Sequence, residues 1–303
     1  MPSPPPAVSV VIPTYNHAQF LGQALRSVLA QTCAGWEAIV VNNYSQDNTA
    51  EIVAAFDDPR IQLVNFRNHG IIAASRNHGV QLARAELVAF LDSDDVWYPR
   101  KLECCLARLE EGYDLVCHGE AWTTDGAPAR NMFYGPEARA AYRSLLFNGN
   151  CISTSAVVVK KTVLRQAGGF NEDARFVTVE DYDLWLRLSR AGARIGFVRE
   201  ILGEYRIHGA NASKALLRHL EAEIAVIESH FAALAALDWI TRLRIRRRRA
   251  LAYYGTARGF QTAGDYREAW RWFARAYRES PFILRMHAAV LLNLLAPLRR
   301  AFA

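Results

Sequence analysis

The first third of the chain alternates short apolar runs of strand length with segments of helical period, and no other feature limits the possible folds as strongly. The runs "VSVVIP" (8–13), "WEAIVVNN" (36–43), "IQLVN" (61–65) and "LVAFL" (87–91) read as strands. Between them, "AQFLGQALRSVLAQ" (18–31) and segments around 49–56 and 71–84 carry helical spacing. Such alternation predicts an α/β fold built on a doubly wound, mostly parallel central sheet. From about residue 214 onward the sequence looks helical throughout, predicting a C-terminal α-helical extension.

Ligands on such sheets sit at the carboxyl ends of the strands. That rule selects three polar turns, "PTYN" (13–16), "NNYSQDN" (42–48) and "DSDD" (92–95), two of which carry a tyrosine able to stack on a base. Nothing resembles G-x-G-x-x-G, so a dinucleotide cofactor is disfavoured. The third turn makes the strongest chemical demand. Asp92, Asp94 and Asp95 follow a buried run, with no Lys or Arg before Arg100. Carboxylates crowded in this way repel one another unless a cation or a set of hydrogen-bond donors is present. A polar turn capping the next helix is the plainer alternative.

Further along, "DLVCHG", "STSAVVVK" and "ARIGFV" read as strands mixed with helices, and one helix stands out. In "TVEDYDLWLRLSRAG" (178–192), Asp181, Leu184, Trp185 and Leu188 fall at i, i+3, i+4 and i+7, so a carboxylate heads the apolar stripe. The T-x-x-D spacing of Thr178 and Asp181 also fits a capping box. The stretch 252–281 resembles a single tetratricopeptide-type hairpin joined at Ala263, Gly264 and Asp265, with no second copy.

Charge is unevenly distributed. The formal net charge is +6, yet residues 239–303 hold 14 Arg and three acids, leaving the first 238 residues acidic on balance. The body is therefore not expected to be a nucleic-acid module. Five cysteines lack metal-site spacing, which suits a reducing cytoplasm. The start has no signal-peptide pattern, and the late apolar run 286–298 is too short to span a bilayer.

Taken in order, "VSVVIPTYN", "VVNNYSQDNT", "ARAELVAFLDSDDVWYPRKLE", "GGFNE", "EDYDLWLRL" and "YRIHGANAS" resemble the inverting glycosyltransferases of family 2, which have the GT-A fold. The resemblance covers about residues 7–213. It implies a glycosyltransferase domain over 1–213, with a nucleotide-binding half at 7–113 and an acceptor half at 114–213, ahead of a basic helical region at 214–303. It also implies transfer from a nucleoside-diphosphate sugar to a glycan or lipid-linked acceptor, in bacterial cell-surface polysaccharide synthesis.

By the same resemblance, "FLDSDD" is the DXD motif. Asp94 is expected to bind the metal, Asp92 the ribose or the metal's outer shell, and Ser93 the nucleotide-sugar, with Asp95 in support. His208 is expected to complete the metal shell and Arg206 to face the diphosphate, and oxygen ligands with one imidazole suit Mn²⁺ or Mg²⁺. Asp181 matches the catalytic base and Glu180 its supporting neighbour. Pro13, Thr14 and Tyr15 match the first nucleotide loop, and Arg76 matches an Arg on the nucleotide side.

One departure concerns the base. Asn43 and Tyr44 stand where the family usually carries Asp and Gly. An Asn offers both an acceptor and a donor and could serve uracil, thymine or cytosine; UDP- and dTDP-sugars are the favoured donors. Asp47 and Asn48 are expected to cap the following helix. On the acceptor side, Asn148 and Asn150 could meet sugar hydroxyls or simply form a turn. The Arg-rich tail suggests docking to an anionic membrane surface, hence a cytoplasmic protein peripheral to the inner face, although charge runs are usually solvated faces.

Three rivals are weaker. A nucleotidyltransferase would want a Gly-rich, basic loop after the first strand, and a processive synthase would want membrane spans and Q-x-x-R-W; the chain has neither set. A non-catalytic nucleotide- or RNA-binding protein, with a GT-A-like body and a basic tail, remains as the alternative class.

Overall fold

The structure is a computed structural model that describes residues 5–124, 127–207, 216–235 and 238–301. The predicted alternation opens the chain: β1 (Val8–Thr14), α1 (Ala18–Leu29), β2 (Trp36–Asn42), α2 (Thr49–Ala54), β3 (Ile61–Asn65), α3 (Ile72–Leu82) and β4 (Leu87–Phe90). β1 pairs in parallel with both β2 and β4, and β2 pairs in parallel with β3. Every residue of β1 and β2 is buried, as expected for strands covered on both faces. Leu21, Leu25 and Val28 of α1 are fully buried on the sheet, each worth roughly 1.5–3 kcal/mol of apolar transfer. Helix α3 sits close to β1 because Gly79 has no side chain; a Cβ there would lie 2.4 Å from Val11 Cγ1.

Next come β5 (Val96–Trp97), α4 (Lys101–Glu110), β6 (Leu115–Thr124), β7 (Ala127–Met132), α5 (Glu137–Ala140), α6 (Tyr142–Asn148), β8 (Val157–Lys160), α7 (Lys161–Gln166), α8 (Glu180–Arg190) and β9 (Ile195–Ile207). Among the described residues the strands form one sheet in the order β3-β2-β1-β4-β8-β6-β9-β5, with β7 on β6. The α/β class and the parallel first half are as expected, whereas the second half is mixed. β8 runs antiparallel to both β4 and β6, and β6 runs parallel to β9. Because β8 runs opposite to β4, it begins where β4 ends. The turn Thr154–Ala156 that leads into β8 is thereby delivered to the carboxyl end of β4.

The chain divides into two compact units, residues 1–145 with 150–211, and residues 146–149 with 212–303. In the second unit, α9 (Leu216–Ala232), α10 (Trp239–Thr262), α11 (Tyr266–Glu279) and α12 (Leu284–Ala301) follow one another. Ala250, Ala257, Ala269 and Ala276 surround Phe273, and these small side chains let α10 and α11 approach closely. The hairpin turn lies where the sequence puts it: Gly264 has φ +81° and Asp265 caps α11 by accepting from Glu268 N at 3.0 Å. The Arg run of α10 is partly structural. Arg248 is buried against Glu223 at 2.5 Å and Arg249 pairs with Glu228 at 2.5 Å, while Arg242, Arg244, Arg246 and Arg247 are exposed.

Candidate active site

The first two polar turns are stitched together. Asn43 N donates to Thr14 O at 3.0 Å, Gln46 N to Asn16 Oδ1 at 2.8 Å, and Asn16 N to Ser45 Oγ at 2.9 Å. Asp47 accepts from Thr49 N at 3.2 Å at the start of α2, where it is expected to cap, and also from Ala18 N at the start of α1, which is not expected; Asn48, at the N-cap position of α2, makes no side-chain capping bond, contrary to the expectation. Pro13 and Thr14 end β1 in register with Val41 and Asn42. Tyr15 and Tyr44 are each 51% exposed, and the Arg67 guanidinium lies over the Tyr44 ring, 4.9 Å from its centroid. Asn43 Oδ1 accepts from Asn68 N at 3.0 Å, which fixes the amide with Nδ2 as its remaining edge.

The acids after β4 are held by donors from several elements. Asp92 Oδ1 accepts from Arg76 at 2.7 Å, and Asp92 N donates to Ser155 Oγ at 3.1 Å. Asp95, almost fully buried, accepts from Ser155 Oγ at 2.5 Å and from Arg206 N at 3.0 Å. Ser93 Oγ and His17 Nδ1 lie 3.0 Å apart. Asp94, the next residue, is half-buried. No acid of this turn caps α4, whose N-cap position is Arg100 with no side-chain bond, so the plain capping alternative is not realised. Burial, then the charges of Asp94, Glu120 and Asp92, pushes Asp95 well above the usual carboxylate range.

Glu120, on β6, belongs to the same group. Its carboxylate accepts from Tyr134 Oη at 2.6 Å and from the Ser153 hydroxyl, and burial raises it to about 7. Lys101 is buried with its ammonium 3.5 Å from the Trp97 ring centroid, and burial lowers it to about 7. At neutral pH it is therefore a weak counter-charge.

Arg76 joins this group to α8. One terminal nitrogen meets Asp92, and the other meets Glu180 Oε1 at 2.6 Å. Glu180 Oε2 also accepts from Thr178 N at 2.8 Å. Asp181 accepts from Thr154 Oγ1 at 3.0 Å and from Tyr182 N at 2.6 Å. Burial and then the Glu180 charge raise it to about 6, against the lowering effect of Arg76, the Tyr182 N–H and the Thr154 hydroxyl. Leu184, Trp185 and Leu188 are buried as their spacing predicts. The N-cap position of α8 is Val179, with no side-chain capping bond, so the T-x-x-D spacing does not close a capping box. The "GGFNE" loop braces this corner: Asn77 bonds Phe170 through both backbone groups at 2.8 Å, and Phe170 packs on Phe90 and Trp185.

Arg206 comes to the acids through its backbone; its guanidinium reaches Gln23 Oε1 at 2.5 Å. Asn150 accepts from Ile152 N at 3.0 Å, the local turn that its sequence allows. His208 lies outside the described residues. Among the described residues no three His, Cys, Asp or Glu side chains gather as a metal-ligand set. The oxygen donors nonetheless fit a divalent cation. Asp92, Asp94, Asp95 and Glu120 supply carboxylate oxygens, the donor type that such ions take, and burial first, then neighbouring carboxylates, raises Asp95 and Glu120.

Glu120, His17 and the hydroxyls of Ser153, Thr154 and Ser155 are site residues that the sequence motifs do not single out. The available signal was the run "STS" directly before an apolar strand, but its aim depends on β8 being antiparallel.

The family model of glycosyl transferase family 2 matches residues 9–165. The Escherichia coli UDP-Glc:alpha-D-GlcNAc-diphosphoundecaprenol beta-1,3-glucosyltransferase WfgD is 30% identical over 224 residues, covering 73% of this chain and 85% of its own. The putative teichuronic acid biosynthesis glycosyltransferase TuaG of Bacillus subtilis is 31% identical over 212 residues, 67% of this chain and 79% of its own. Among solved structures, S. aureus TarS 1-349 in complex with UDP-GlcNAc superposes with a TM-score of 0.67 at 18% identity, over 97% of this chain and 87% of that one. The mannosyltransferase PcManGT from Pyrobaculum calidifontis, in complex with GDP-Man and Mn²⁺, gives a TM-score of 0.62 at 18% identity, over 98% and 81%.

Proposed function

The chain belongs to glycosyl transferase family 2, and from that premise we propose that it transfers a sugar, with inversion, from a nucleoside-diphosphate sugar to a hydroxyl of a lipid-linked or glycan acceptor. The observation that carries this reading is the Arg76 bridge, which ties the ED pair of α8 to the acidic turn after β4. Asp181 is the general base. A carboxylate raised to about 6 is ionised at neutral pH yet basic enough to take the acceptor proton. The acceptor oxygen bonds to C1 as the bond from C1 to the diphosphate oxygen breaks, through an oxocarbenium-like state.

Asp94 and His208 would hold a divalent ion, Mn²⁺ or Mg²⁺, with Asp92 at the ribose or the outer shell. When bound, that ion supplies positive charge to the departing diphosphate. Asp95 and Ser155 keep the turn in place, and Glu180 orients Arg76. Arg206 serves the diphosphate by exchanging its contact with Gln23 for a phosphate oxygen. Tyr15 stacks on the base, with Pro13, Thr14 and Ser93 lining its surroundings. Asn43, its oxygen committed to Asn68 N, offers Nδ2–H to a pyrimidine carbonyl, which suits UDP or dTDP. The UDP-Glc in the name of the E. coli relative supports the same choice, and its diphosphoundecaprenol acceptor supports a lipid-linked acceptor and a role in cell-surface polysaccharide synthesis.

A lipid-linked acceptor calls for contact with a membrane, although no helix among the described residues is long and apolar enough to cross one. Trp239, Leu243 and Arg247 share a face at the start of α10 with Ile240 and Arg244, and all five are exposed. Phe282, two residues before α12, and Leu284, its first residue, are 90% and 87% exposed. Apolar side chains among guanidiniums fit an anionic lipid surface, at the inner face of the plasma membrane.

A thermal-shift panel of UDP, dTDP, GDP and CDP, each with and without Mn²⁺, tests the donor site. The expected result is a shift with UDP or dTDP that requires the metal. Asp181→Asn is expected to keep that shift and lose transfer; near wild-type turnover would remove Asp181 as the base.

A further inference from the structure

Three consecutive hydroxyls, Ser153, Thr154 and Ser155, bind three different acids of the site. Ser153 bonds Glu120 on β6, Thr154 Oγ1 donates to Asp181 Oδ2 at 3.0 Å, and Ser155 Oγ donates to Asp95 Oδ2 at 2.5 Å while accepting from Asp92 N. The geometry follows from the backbone. Thr154–Ala156 is a 3-10 turn, in which about three residues complete a revolution, so neighbouring side chains fan out in different directions. The turn is fixed from below: Ala156 N donates to Ser153 O at 3.2 Å, and Trp97 Nε1 donates to Ser155 O at 2.7 Å. Thr154 and Ser155 are buried, so water does not compete for their bonds.

We propose that this turn is the spacer that sets the base against the donor site, and that Thr154 is a positioning residue for Asp181. The inference rests on Asp181 being the base. Ser155 ties the turn to the acidic loop after β4, and Thr154 carries that reference point to α8. With Oδ1 held by Tyr182 N and Oδ2 by Thr154, the carboxylate has one defined orientation, and each oxygen retains a lone pair for the acceptor proton. The hydroxyl also stabilises the ionised form. The charged groups acting on Asp181 are Glu180 on its own helix and Arg76 from α3, with Asp92 beyond Arg76; the turn itself contributes only hydroxyls.

The experiment compares Thr154→Val and Thr154→Ser with wild type, reading kcat against pH, the donor KM and the UDP/Mn²⁺ thermal shift. Losing a hydrogen bond to a charged group is expected to lower kcat by about ten- to a hundredfold in the Val variant. Its donor KM and thermal shift should stay within about twofold of wild type. The acid limb of its pH profile is expected to move above the wild-type position near 6. Thr154→Ser should restore both rate and limb. A Val variant with an unmoved limb and kcat within about twofold overturns the proposal, as does a Ser variant as slow as Val. If Asp181→Asn itself remains active, the base reading has failed; if it is inactive while Thr154→Val is normal, only the spacer has failed.

Discussion

Arg76 and Glu180 are 104 residues apart in sequence and 2.6 Å apart in space, and both side chains are almost completely buried. A guanidinium can serve two carboxylates at once because its donors are arranged as a rigid fork, and here the second carboxylate is Asp92 at 2.7 Å. The acids of β4 and α8 are therefore mechanically linked before any substrate arrives.

Removing that link should be costly. Arg76→Leu takes the shared cation from Asp92 and Glu180, and breaking a buried pair costs about 3–5 kcal/mol. A clear fall in the denaturation midpoint is expected, with loss of transfer. Arg76→Lys should recover only part of the stability, since an ammonium lacks the fork. Chemical denaturation of the three proteins checks the order.

The pH profile carries a sign. Asp181 acts as a carboxylate, so kcat should fall as pH drops through about 6 and level off above it. Glu180 is one of the charges holding that value up, and Glu180→Gln should move the limb to lower pH, opposite to the shift expected for Thr154→Val. Rate measurements between pH 4.5 and 8 (roughly the range in which a base of this kind titrates) would show both directions.

Gly79 is a packing contact between α3 and β1. Its replacement by Ala sets a methyl 2.4 Å from Val11 Cγ1, deep in the core, and overpacking of this kind costs about 1–3 kcal/mol. The variant should be destabilised by that amount and should lose activity as well, because Arg76 lies one turn earlier on the same helix. Adding Val11→Ala should return part of the activity, which a thermal melt and a rate assay can follow together.

The second unit should bind anionic vesicles. Co-flotation with phosphatidylglycerol-containing vesicles is expected at low salt, reduced by about tenfold or more in a Phe282→Ser, Leu284→Ser double variant, on the scale of two exposed side chains at about 1.5–3 kcal/mol each. Equal binding to neutral vesicles, unchanged by salt, would contradict the proposal.

Much of this was legible in the sequence, and for local reasons. The strands through β4 fall within about a residue of their predicted ends because each is a short apolar run bounded by polar turns. Asp181 was visible as an acid at the head of an apolar stripe. What the sequence hid is non-local. Whether a four-residue strand such as Val157–Lys160 runs parallel or antiparallel is decided by its neighbours, and that choice alone turns an ordinary "STS" into the partner of three acids. Glu120 escaped notice because one acid in a strand gives no clue to which face it occupies or what awaits it there. Arg76 likewise reads as a helix cation until α8 is folded against it.

The position of β8 also governs the order of assembly. It is flanked in the sheet by β4 and β6, both made earlier in the chain, so those two strands have no lateral partner between them until residues 157–160 have emerged. A nascent chain that stops short of Val157 already carries the three hydroxyls but lacks the strand that docks them against the acids, and it exposes a bare strand edge, the kind of surface on which chains associate wrongly.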